Sequence, residues 1–472
     1  MWDIRKTPSR TKLTQVPVEA RHASLAVTEL PTAVEIVPLV LPTEDTETAH
    51  RLDLKIAIHR DLLDQINLAA LEKLSRSQIG EELAGIINTI LQDRGQVLNR
   101  GDRTQLTEEV LDELLGLGPL EPLLKDETIT DILVNGHDTV FVERRGLLER
   151  APTRFQDERH LLRIIQKIVS AVGRRVDESS PFVDARLEDG SRVNAIVAPL
   201  AIDGSLLSIR KFSKKPISMG RLIDLDSLTP DMATVLQGVV RSRLNIIISG
   251  GTGSGKTTML NALSSYIDDR ERIVTIEDSA ELQLQQGHVA RLETRPANIE
   301  GRGEVSQRDL VRNALRMRPD RIILGECRAG EAFDMLQAMN TGHDGSMTTV
   351  HANTPRDALS RIEQMIGMSG IEISSRSSRA QIASAINVVI QIGRLADGKR
   401  RTLSISELTG MEGETITMQE IFRFKQTGRD DDGTVLGRFE ATGIRPRFAT
   451  ALAMNGINLD GELFRPKQHS AP

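Results

Sequence analysis

The spacing of apolar residues changes several times along the chain. One stretch repeats them every three or four positions, as helices do, and the next has short alternating runs separated by turn signals. A third stretch alternates strand-like and helix-like runs, which is typical of a parallel sheet covered on both faces. The predicted regions are a disordered tail over residues 1–50, a three-helix bundle over 51–116, an α+β domain over 117–213, a linker over 214–228, an α/β domain over 229–425 and an unassigned extension over 426–472.

The predicted bundle depends on apolar stripes at helical spacing. Ile58, Leu62 and Ile66 lie four positions apart, and a second stripe begins at Ile79. Thr107 is expected to cap the third helix, because acidic residues suited to a first helical turn follow it. Stripes of this kind form a core far more often than a ligand site.

Turn signals separate the strand-like runs of the predicted α+β domain. Asn135-Gly136 and Asp189-Gly190 each lie between two such runs, which predicts two hairpins. A helix is expected between them over residues 157–172. Helices backed by an antiparallel sheet make an α+β domain.

Continuous apolar runs mark the strands of the predicted α/β domain. Thr229-Pro230 is a strong helix start, and Asp397-Gly398 predicts an antiparallel edge hairpin near the end of the domain. The expected strands of the parallel sheet cover residues 245–249, 272–277, 321–326, 346–351 and 388–393.

Composition narrows the class of protein. Of 472 residues 39% are hydrophobic but only 3% are aromatic, so the cores must be aliphatic. A net charge of −6 counts against a nucleic-acid-binding protein. Cys327 is the only cysteine, so the chain has no internal disulfide and no all-cysteine zinc site, which suits a reducing cytosol. Neither a signal peptide nor a bilayer-spanning segment is expected, so work at a membrane would need a partner.

The run from Gly250 to Thr258 has the composition of a phosphate-binding loop. It fits G-x-x-x-x-G-K-[ST] and directly follows an apolar strand. Lys256 is expected to bind the β- and γ-phosphates of a nucleoside triphosphate, and the hydroxyl of Thr257 to ligate Mg²⁺. A glycine-rich turn with a chance lysine is the weaker alternative. The predicted cofactor-binding residues of this loop are Gly250, Gly251, Thr252, Gly253, Ser254, Gly255, Lys256, Thr257 and Thr258.

Carboxylates follow two further predicted strands. Glu326 ends a buried strand and is expected near Lys256, because the carboxyl ends of parallel strands meet at one sheet edge. There it would orient and deprotonate the attacking water. Glu277 and Asp278 are expected to hold Mg²⁺ or its waters, although Asp278 could instead cap a turn.

Histidines and arginines complete the candidate site. His343 and His351 flank one predicted strand and are expected at the γ-phosphate or at the domain interface. Arg186, Arg192 and Arg210 lie on strands of the small domain, and one or more would reach the γ-phosphate if that domain covers the nucleotide. Further arginines are crowded between residues 308 and 328, and most of these fit solvated helix faces.

Four ordered stretches of this chain resemble one known family. SGGTGSGKTT, TIED, RMRPDRIILGECR and MNTGHDGSMTTVHANTPRDAL are similar to the Walker A, Asp, Walker B and His boxes of the secretion ATPase superfamily of type II and type IV secretion and type IV pili. GLGPLEPLLKDETITDILVNG, ESSPFVDARLEDGSRVNAIVAPLAIDG and SIRKFSKKP look like the CpaF/TadA-type ATPases of tight-adherence (Tad) pili. The resemblance covers about residues 55–425. It implies a RecA-like P-loop domain, ATP and Mg²⁺ as cofactors, and the site residues named above.

The resemblance also implies partners. Family members form homo-hexameric rings with ATP in the cleft between two domains, and they dock on an inner-membrane platform to move pilins. The expected localisation is therefore the cytoplasm, with peripheral attachment to the inner membrane through partners. The lone Cys327 departs from the tetracysteine zinc module of type II and pilus-extension ATPases, which favours the Tad and type IV secretion branch.

Three alternatives to a Tad pilus motor remain open at this point. A type IV secretion traffic ATPase moving other substrates is the nearest. A RecA-like DNA translocase is disfavoured by the near-neutral surface, and salt-dependent DNA binding would favour it again. A scaffold that binds ATP without turnover is disfavoured by Glu326.

Overall fold

A computed structural model of the chain describes residue 58 and residues 75–96, 98–212, 216–297 and 302–466. The predicted tail over residues 1–50 lies outside the described residues. The same is true of the first predicted helix, apart from the buried Ile58. Within the described ranges, no helix is both long enough and apolar enough to cross a membrane.

Residues 75–116, apart from the undescribed residue 97, contain two packed helices, α1 (Arg76–Asp93) and α2 (Arg100–Leu115). The side chains of Ser75 and Gln78 form a capping box at the start of α1. Asn99 caps α2, so the prediction that Thr107 starts a helix is wrong. Thr107 lies inside α2, where its hydroxyl donates a 2.8 Å hydrogen bond to the carbonyl of Arg103. Residues 100–105 carry no apolar side chain but keep the helical backbone.

The small domain contains a six-stranded sheet in the order β3-β2-β1-β6-β5-β4, in which every neighbouring pair is antiparallel. The apolar stripe of α4 packs on this sheet, with Leu161 and Ile165 fully buried. The elements are a 3₁₀ turn (Gly118–Leu120), α3 (Glu121–Lys125), β1 (Ile129–Asn135), β2 (Val140–Arg144), β3 (Leu147–Arg150), α4 (Glu158–Ala171), β4 (Phe182–Arg186), β5 (Arg192–Ile196) and β6 (Leu206–Arg210).

The segment expected to be a linker contains a helix. The described part of residues 214–228 forms α5 (Met219–Asp224), which Ser218 caps. Met219 and Leu222 are buried in the core of the large domain, so α5 belongs to that domain. Six residues give too short a stripe for helical periodicity to be recognised in the sequence.

The large domain contains a nine-stranded sheet in the order β15-β14-β13-β12-β7-β11-β10-β8-β9. Strands β12, β7, β11, β10, β8 and β9 are parallel, and β13 to β15 add an antiparallel edge. Both faces are covered, since Ile246 and Ile248 face one apolar core and Ile247 faces the other. The expected α/β fold class is confirmed. The elements of its first part are α6 (Pro230–Arg241), β7 (Ile246–Gly250), α7 (Lys256–Ser264), β8 (Ile273–Glu277), β9 (Val289–Glu293), α8 (Gln307–Ala314), β10 (Arg321–Cys327), α9 (Glu331–Asn340), β11 (Met347–Val350), α10 (Pro355–Gly367), α11 (Ser375–Ala385) and β12 (Val388–Arg394).

The C-terminal part is continuous with this sheet. Strand β14 (Thr415–Arg429) follows β13 (Arg400–Glu412) and runs through the domain end predicted at residue 425. Strand β15 (Val435–Ala441), helix α12 (Phe448–Met454) and a 3₁₀ turn (Gly461–Phe464) come next. Phe448, Leu452 and Phe464 are buried in the core that α6 lines, so the described part of the extension completes the large domain.

One arginine of the crowded stretch between residues 308 and 328, Arg321, is fully buried. The guanidinium of Arg321 makes two hydrogen bonds to the carboxylate of Glu271, at 2.7 and 2.8 Å, and a third to the carbonyl of Val240 at 2.9 Å. Removing one partner of such a pair costs about 3–5 kcal/mol, because the other charge is left unpaired in the interior. Arg321 therefore supports the start of β10, the strand that leads to Glu326.

Candidate active site

The phosphate-binding loop lies between β7 and α7, as the sequence predicts. Gly253 and Gly255 have φ values of +67° and +96°, which glycine adopts without strain. A Cβ on Gly250 would lie 2.5 Å from the carbonyl oxygen of Ile392, so this position also requires glycine. The loop borders a cavity of about 580 Å³.

Most of the predicted site residues line this cavity. The small domain contributes Arg192 and Arg210, and the large domain contributes the loop and the ends of its parallel strands. The predicted residues found there are Thr252, Gly253, Ser254, Gly255, Lys256, Thr257, Thr258, Glu277, Asp278, Glu326, His351, Arg192 and Arg210.

Lys256 is held by the loop itself. Its ammonium group donates to the carbonyls of Gly250 and Gly251, both at 3.0 Å, although these two glycines do not line the cavity. Burial lowers the pKa of Lys256, and the carboxylate of Glu326, 4.0 Å away, opposes that shift. The lysine therefore lies beside the predicted catalytic glutamate, because the carboxyl ends of the parallel strands β7 and β10 lie at the same edge of the sheet.

Glu326 has a second basic partner, Arg328. The Nε of Arg328 donates to the carboxylate of Glu326 at 2.8 Å, and its Nη1 lies 3.1 Å from Asp278. Arg328 thus connects the two acidic strand ends. Asp278 forms this ion pair, and the hydroxyl of Thr294 lies 3.5 Å from its other oxygen.

Glu277 anchors the loop that follows β8. Its Oε2 accepts hydrogen bonds from the backbone N–H groups of Glu281 and Leu282, at 2.7 and 2.9 Å. Its Oε1 is buried and has no hydrogen-bond partner among the described residues. Burial raises the pKa of Glu277, since the charged form loses solvation.

The acidic side chain that reaches Thr257 is Glu281, which the sequence analysis did not single out. Its Oε2 lies 3.4 Å from the hydroxyl of Thr257. This arrangement fits a Mg²⁺ ion, because the hydroxyl, Glu281 and the unpartnered Oε1 of Glu277 are oxygen donors on one cavity wall. No group of three or more acidic, histidine or cysteine side chains forms a ready-made metal site within the described ranges.

The three small-domain arginines have different surroundings. Arg186 lies outside the cavity, where it donates to the hydroxyl of Ser279 at 2.5 Å and pairs with Glu293 at 2.9 Å. Arg192 donates to the carbonyl of Ser279 at 2.6 Å and pairs with Glu281 at 3.1 Å. Arg210 lines the cavity, and its side chain makes no hydrogen bond or ion pair with any described residue.

The two histidines, expected at the γ-phosphate or at the domain interface, lie at opposite ends of β11. His351 lines the cavity at the carboxyl end of the strand. His343 lies before the other end, and its carbonyl accepts from the hydroxyl of Ser346 at 2.7 Å. The four residues of β11 span about 13 Å, which keeps the histidines apart. Parallel strands bring only their carboxyl ends to the nucleotide edge.

Several cavity residues were not singled out from the sequence. They come from loops, helices and the strand β11, and the fold brings them together. They are Ser279, Glu281, Gln307, Thr349 and Arg361. Glu281 could have been found from its position four residues after Glu277, at the start of the loop after β8.

Comparison with known proteins identifies the family. The model of the family described as "Type II/IV secretion system protein" matches residues 113–431, more than half of the chain. The chain belongs to this family. The membership and the complete phosphate-binding loop together make it an ATPase of the secretion class.

The relatives come from conjugal transfer and type IV secretion. A Mycobacterium tuberculosis (strain H37Rv) protein whose provisional name describes conjugal transfer is 39% identical over 332 residues, covering 69% of this chain and 93% of its own. Type IV secretion system protein VirB11 of Bartonella henselae is 30% identical over 345 residues, covering 65% of this chain and 96% of its own. The crystal structure of the VirB11 ATPase of the Brucella suis type IV secretion system has a TM-score of 0.33 at 28% identity, covering 61% of this chain and 95% of that one.

Proposed function

We propose that this chain hydrolyses ATP as the hexameric motor of a Tad-type pilus, at the cytoplasmic face of the inner membrane. The observation that carries the proposal is a cavity bordered by the phosphate-binding loop and Glu326 on one domain and by Arg192 and Arg210 on the other. A triphosphate bound there would contact both domains. Cleavage of the bond to its γ-phosphate would then alter the contacts through which the nucleotide connects the two domains.

The reaction is attack of a water oxygen on the γ-phosphorus, with loss of ADP. Glu326 accepts the proton of the water, and Lys256 binds the β- and γ-phosphates once it leaves the loop carbonyls. The bond between the γ-phosphorus and the bridging oxygen breaks as the new P–O bond forms. Arg210 has no described partner to give up, so it is the proposed arginine finger, and Arg192 adds a second positive charge.

Mg²⁺, when bound, would supply positive charge to the phosphates. Thr257 and Glu281 are the proposed holders, and Glu277 and Asp278 would orient its waters. His351, which lines the same cavity, is proposed to contact the γ-phosphate. Arg186 is proposed to position the Ser279 loop, since its contacts lie outside the cavity.

The assignment to a Tad pilus depends on the small-domain stretches that resemble CpaF/TadA-type ATPases. Assembly, with retraction as a further activity, would proceed through an inner-membrane platform and its pilins. The second candidate is a traffic ATPase of conjugal or type IV secretion, which the relatives' descriptions favour. A deletion strain separates the two: loss of surface pili supports the first, whereas intact pili with lost DNA or protein transfer supports the second.

Replacing Glu326 tests the ATPase mechanism. Glu326→Gln keeps the size of the side chain and removes the base, so we expect kcat to fall at least about 100-fold. The affinity for fluorescent ATP should stay within about threefold, because Lys256 and the loop are unchanged. Phosphate release and equilibrium binding measure the two effects.

Glu440→Gln is the matched control. Glu440 also pairs with arginines, Arg423 and Arg438, but it lies outside the cavity. Its kcat should equal that of the wild type. Equal turnover in the wild type and Glu326→Gln would show that Glu326 is not the catalytic base.

Native mass measurement with and without ATP tests the hexamer. A monomer at working concentration in both states would contradict a ring motor.

A further inference from the structure

Two arginines face each other at the turn end of the β12–β13 hairpin. Arg394 and Arg400 are direct cross-strand partners, an arrangement in which like charges destabilise the strand pair. The carboxylate of Glu143, on β2 of the small domain, lies between them. Its Oε2 is 3.2 Å from Arg394 Nη1 and its Oε1 is 3.4 Å from Arg400 Nη2. A charge from one domain thus offsets a repulsion built into the other.

Arg400 also contacts the phosphate-binding loop. Its Nε donates a 2.8 Å hydrogen bond to the carbonyl of Gly253, and its Cδ lies 3.4 Å from the position a Cβ on Gly255 would take. Burial lowers the pKa of Arg400, and Glu143 opposes the shift. One guanidinium therefore connects the loop backbone to a carboxylate of the small domain.

The carbonyl of Gly253 matters because peptide units are planar. When Arg400 fixes this carbonyl, it also fixes the direction of the next N–H, that of Ser254. That N–H makes a long 3.4 Å hydrogen bond to the carbonyl of Gly251. Backbone N–H groups of such loops are the donors that bind phosphate oxygens. The orientation of this peptide unit thus affects how well the loop binds phosphate.

The hairpin and the small domain also touch through their turns. A Cβ on Gly146, in the β2–β3 turn, would lie 3.2 Å from the carbonyl oxygen of Gly398, in the β12–β13 turn. Glu143 is three residues from Gly146, so a movement that separates the turns also withdraws the carboxylate from the arginines. The contact is therefore sensitive to the position of the small domain.

We propose that Arg400 is a positioning residue for the phosphate-binding loop and that Glu143 ties its position to that of the small domain. Withdrawal of Glu143 leaves Arg400 opposed to Arg394, the hydrogen bond to Gly253 weakens, and the affinity for nucleotide falls. The inference rests on the proposed ATPase function. It adds a second path, separate from the contacts of Arg192 and Arg210 with the nucleotide, by which movement of the small domain changes nucleotide affinity.

Steady-state kinetics and equilibrium binding of fluorescent ADP test the proposal on the full-length chain. Arg400→Ala should raise the KM for ATP and the Kd for ADP about tenfold, with kcat within about threefold, because the loop loses orientation while Glu326 is unchanged. Glu143→Gln should raise both constants about threefold. Arg400→Lys keeps the charge but not the fork that reaches two partners, so it should fall between the wild type and Arg400→Ala.

A double-mutant cycle makes the test specific. In the Arg400→Ala background, Glu143→Gln should have no further effect, since Glu143 acts through Arg400. Arg394→Ala is the matched control, because it removes an ion pair with Glu143 but no hydrogen bond to the loop. Its KM should stay within about twofold of the wild type. Thermal unfolding of each variant identifies any that has simply lost its fold.

Two results would overturn the inference. One is a folded Arg400→Ala protein whose Kd for ADP is within twofold of the wild type. The other is a Glu143→Gln effect that persists in full without Arg400. A wild type that binds ADP but does not hydrolyse ATP would instead contradict the proposed function, and the ADP affinities would still decide the role of Arg400.

Discussion

Two contacts join the small domain to the large one, and their charges are arranged in opposite ways. At the first, arginines of the small domain bind the loop after β8, as in the pair between Arg192 and Glu281. At the second, Glu143 of the small domain binds arginines of the β12–β13 hairpin. The first contact borders the wall with Thr257 and Glu281, and the second borders the phosphate-binding loop.

The carboxylates that form or support these contacts also differ in how many of their oxygens have partners. Both oxygens of Glu143 are paired with arginines. Glu277, which anchors the loop of the first contact, has a buried oxygen without a described partner and a raised pKa. We infer that the second contact is complete without ligand, whereas the first keeps an acceptor for a cation or water. Damage to the first should therefore reduce kcat, and damage to the second should raise KM.

The largest effect is expected at the first contact. Arg192→Ala leaves Glu281 unpaired beside Thr257 and removes a positive charge from the cavity, so we expect kcat to fall about 100-fold. KM should stay within about threefold, and steady-state phosphate release measures both. Arg175→Ala is the control, since it removes an ion pair with Asp177 elsewhere in the small domain. If Arg192→Ala changed only KM, the two contacts would have the same kinetic effect and the prediction would be contradicted.

A smaller effect is expected from the touching turns of the second contact. Gly146→Ala places a methyl group 3.2 Å from the carbonyl of Gly398, which should separate the turns and raise KM about threefold at unchanged kcat. Gly173→Ala adds the same group at a similar positive φ with no atom within 4 Å. Both variants should lose similar stability, but only the first should change KM. Equal KM values in the two would exclude a role for the turn contact.

The smallest effect concerns the stability of the nucleotide-free protein. The pKa of Glu277 is higher in the folded than in the unfolded chain, so the fold favours the protonated form. This contribution to the free energy of unfolding is fully present below the pKa that Glu277 has in the unfolded chain. It is lost as the pH rises through the pKa that Glu277 has in the folded chain. Glu277→Gln, which carries no charge, should have a higher Tm than the wild type at pH 8, and the two should converge toward pH 4. The exposed Glu188→Gln is the control, and a Tm difference independent of pH would contradict this prediction.

Features set by local sequence could be predicted. The loop from Gly250 to Thr258 has the residues that its geometry requires, and Glu326 follows a continuous apolar run. Because parallel strands bring their carboxyl ends together, the proximity of Lys256 and Glu326 followed from strand order alone. The same rule separates His343 from His351, and applying it to both ends of β11 would have excluded His343.

Features set by contacts between distant segments could not be predicted. Arg400 lies 257 positions from Glu143 along the chain, and nothing near either residue indicates the other. Arg321 and Arg328 occur in one arginine-rich stretch, yet one is buried against Glu271 and the other lies in the cavity. The strand β14 has polar residues on its outer face, so its continuation past residue 425 lacked an apolar signal.

The single cysteine has a practical consequence for experiments on domain movement. Cys327 is 3% exposed, and burial raises the pKa of its thiol to about 12, so almost no thiolate is present at neutral pH. Maleimide dyes should therefore react very slowly with the thiol of Cys327. A pair of cysteines introduced on the surface of the two domains can carry a donor and an acceptor fluorophore without first mutating the natural one, and energy transfer between them would then follow each turnover in an otherwise unaltered protein.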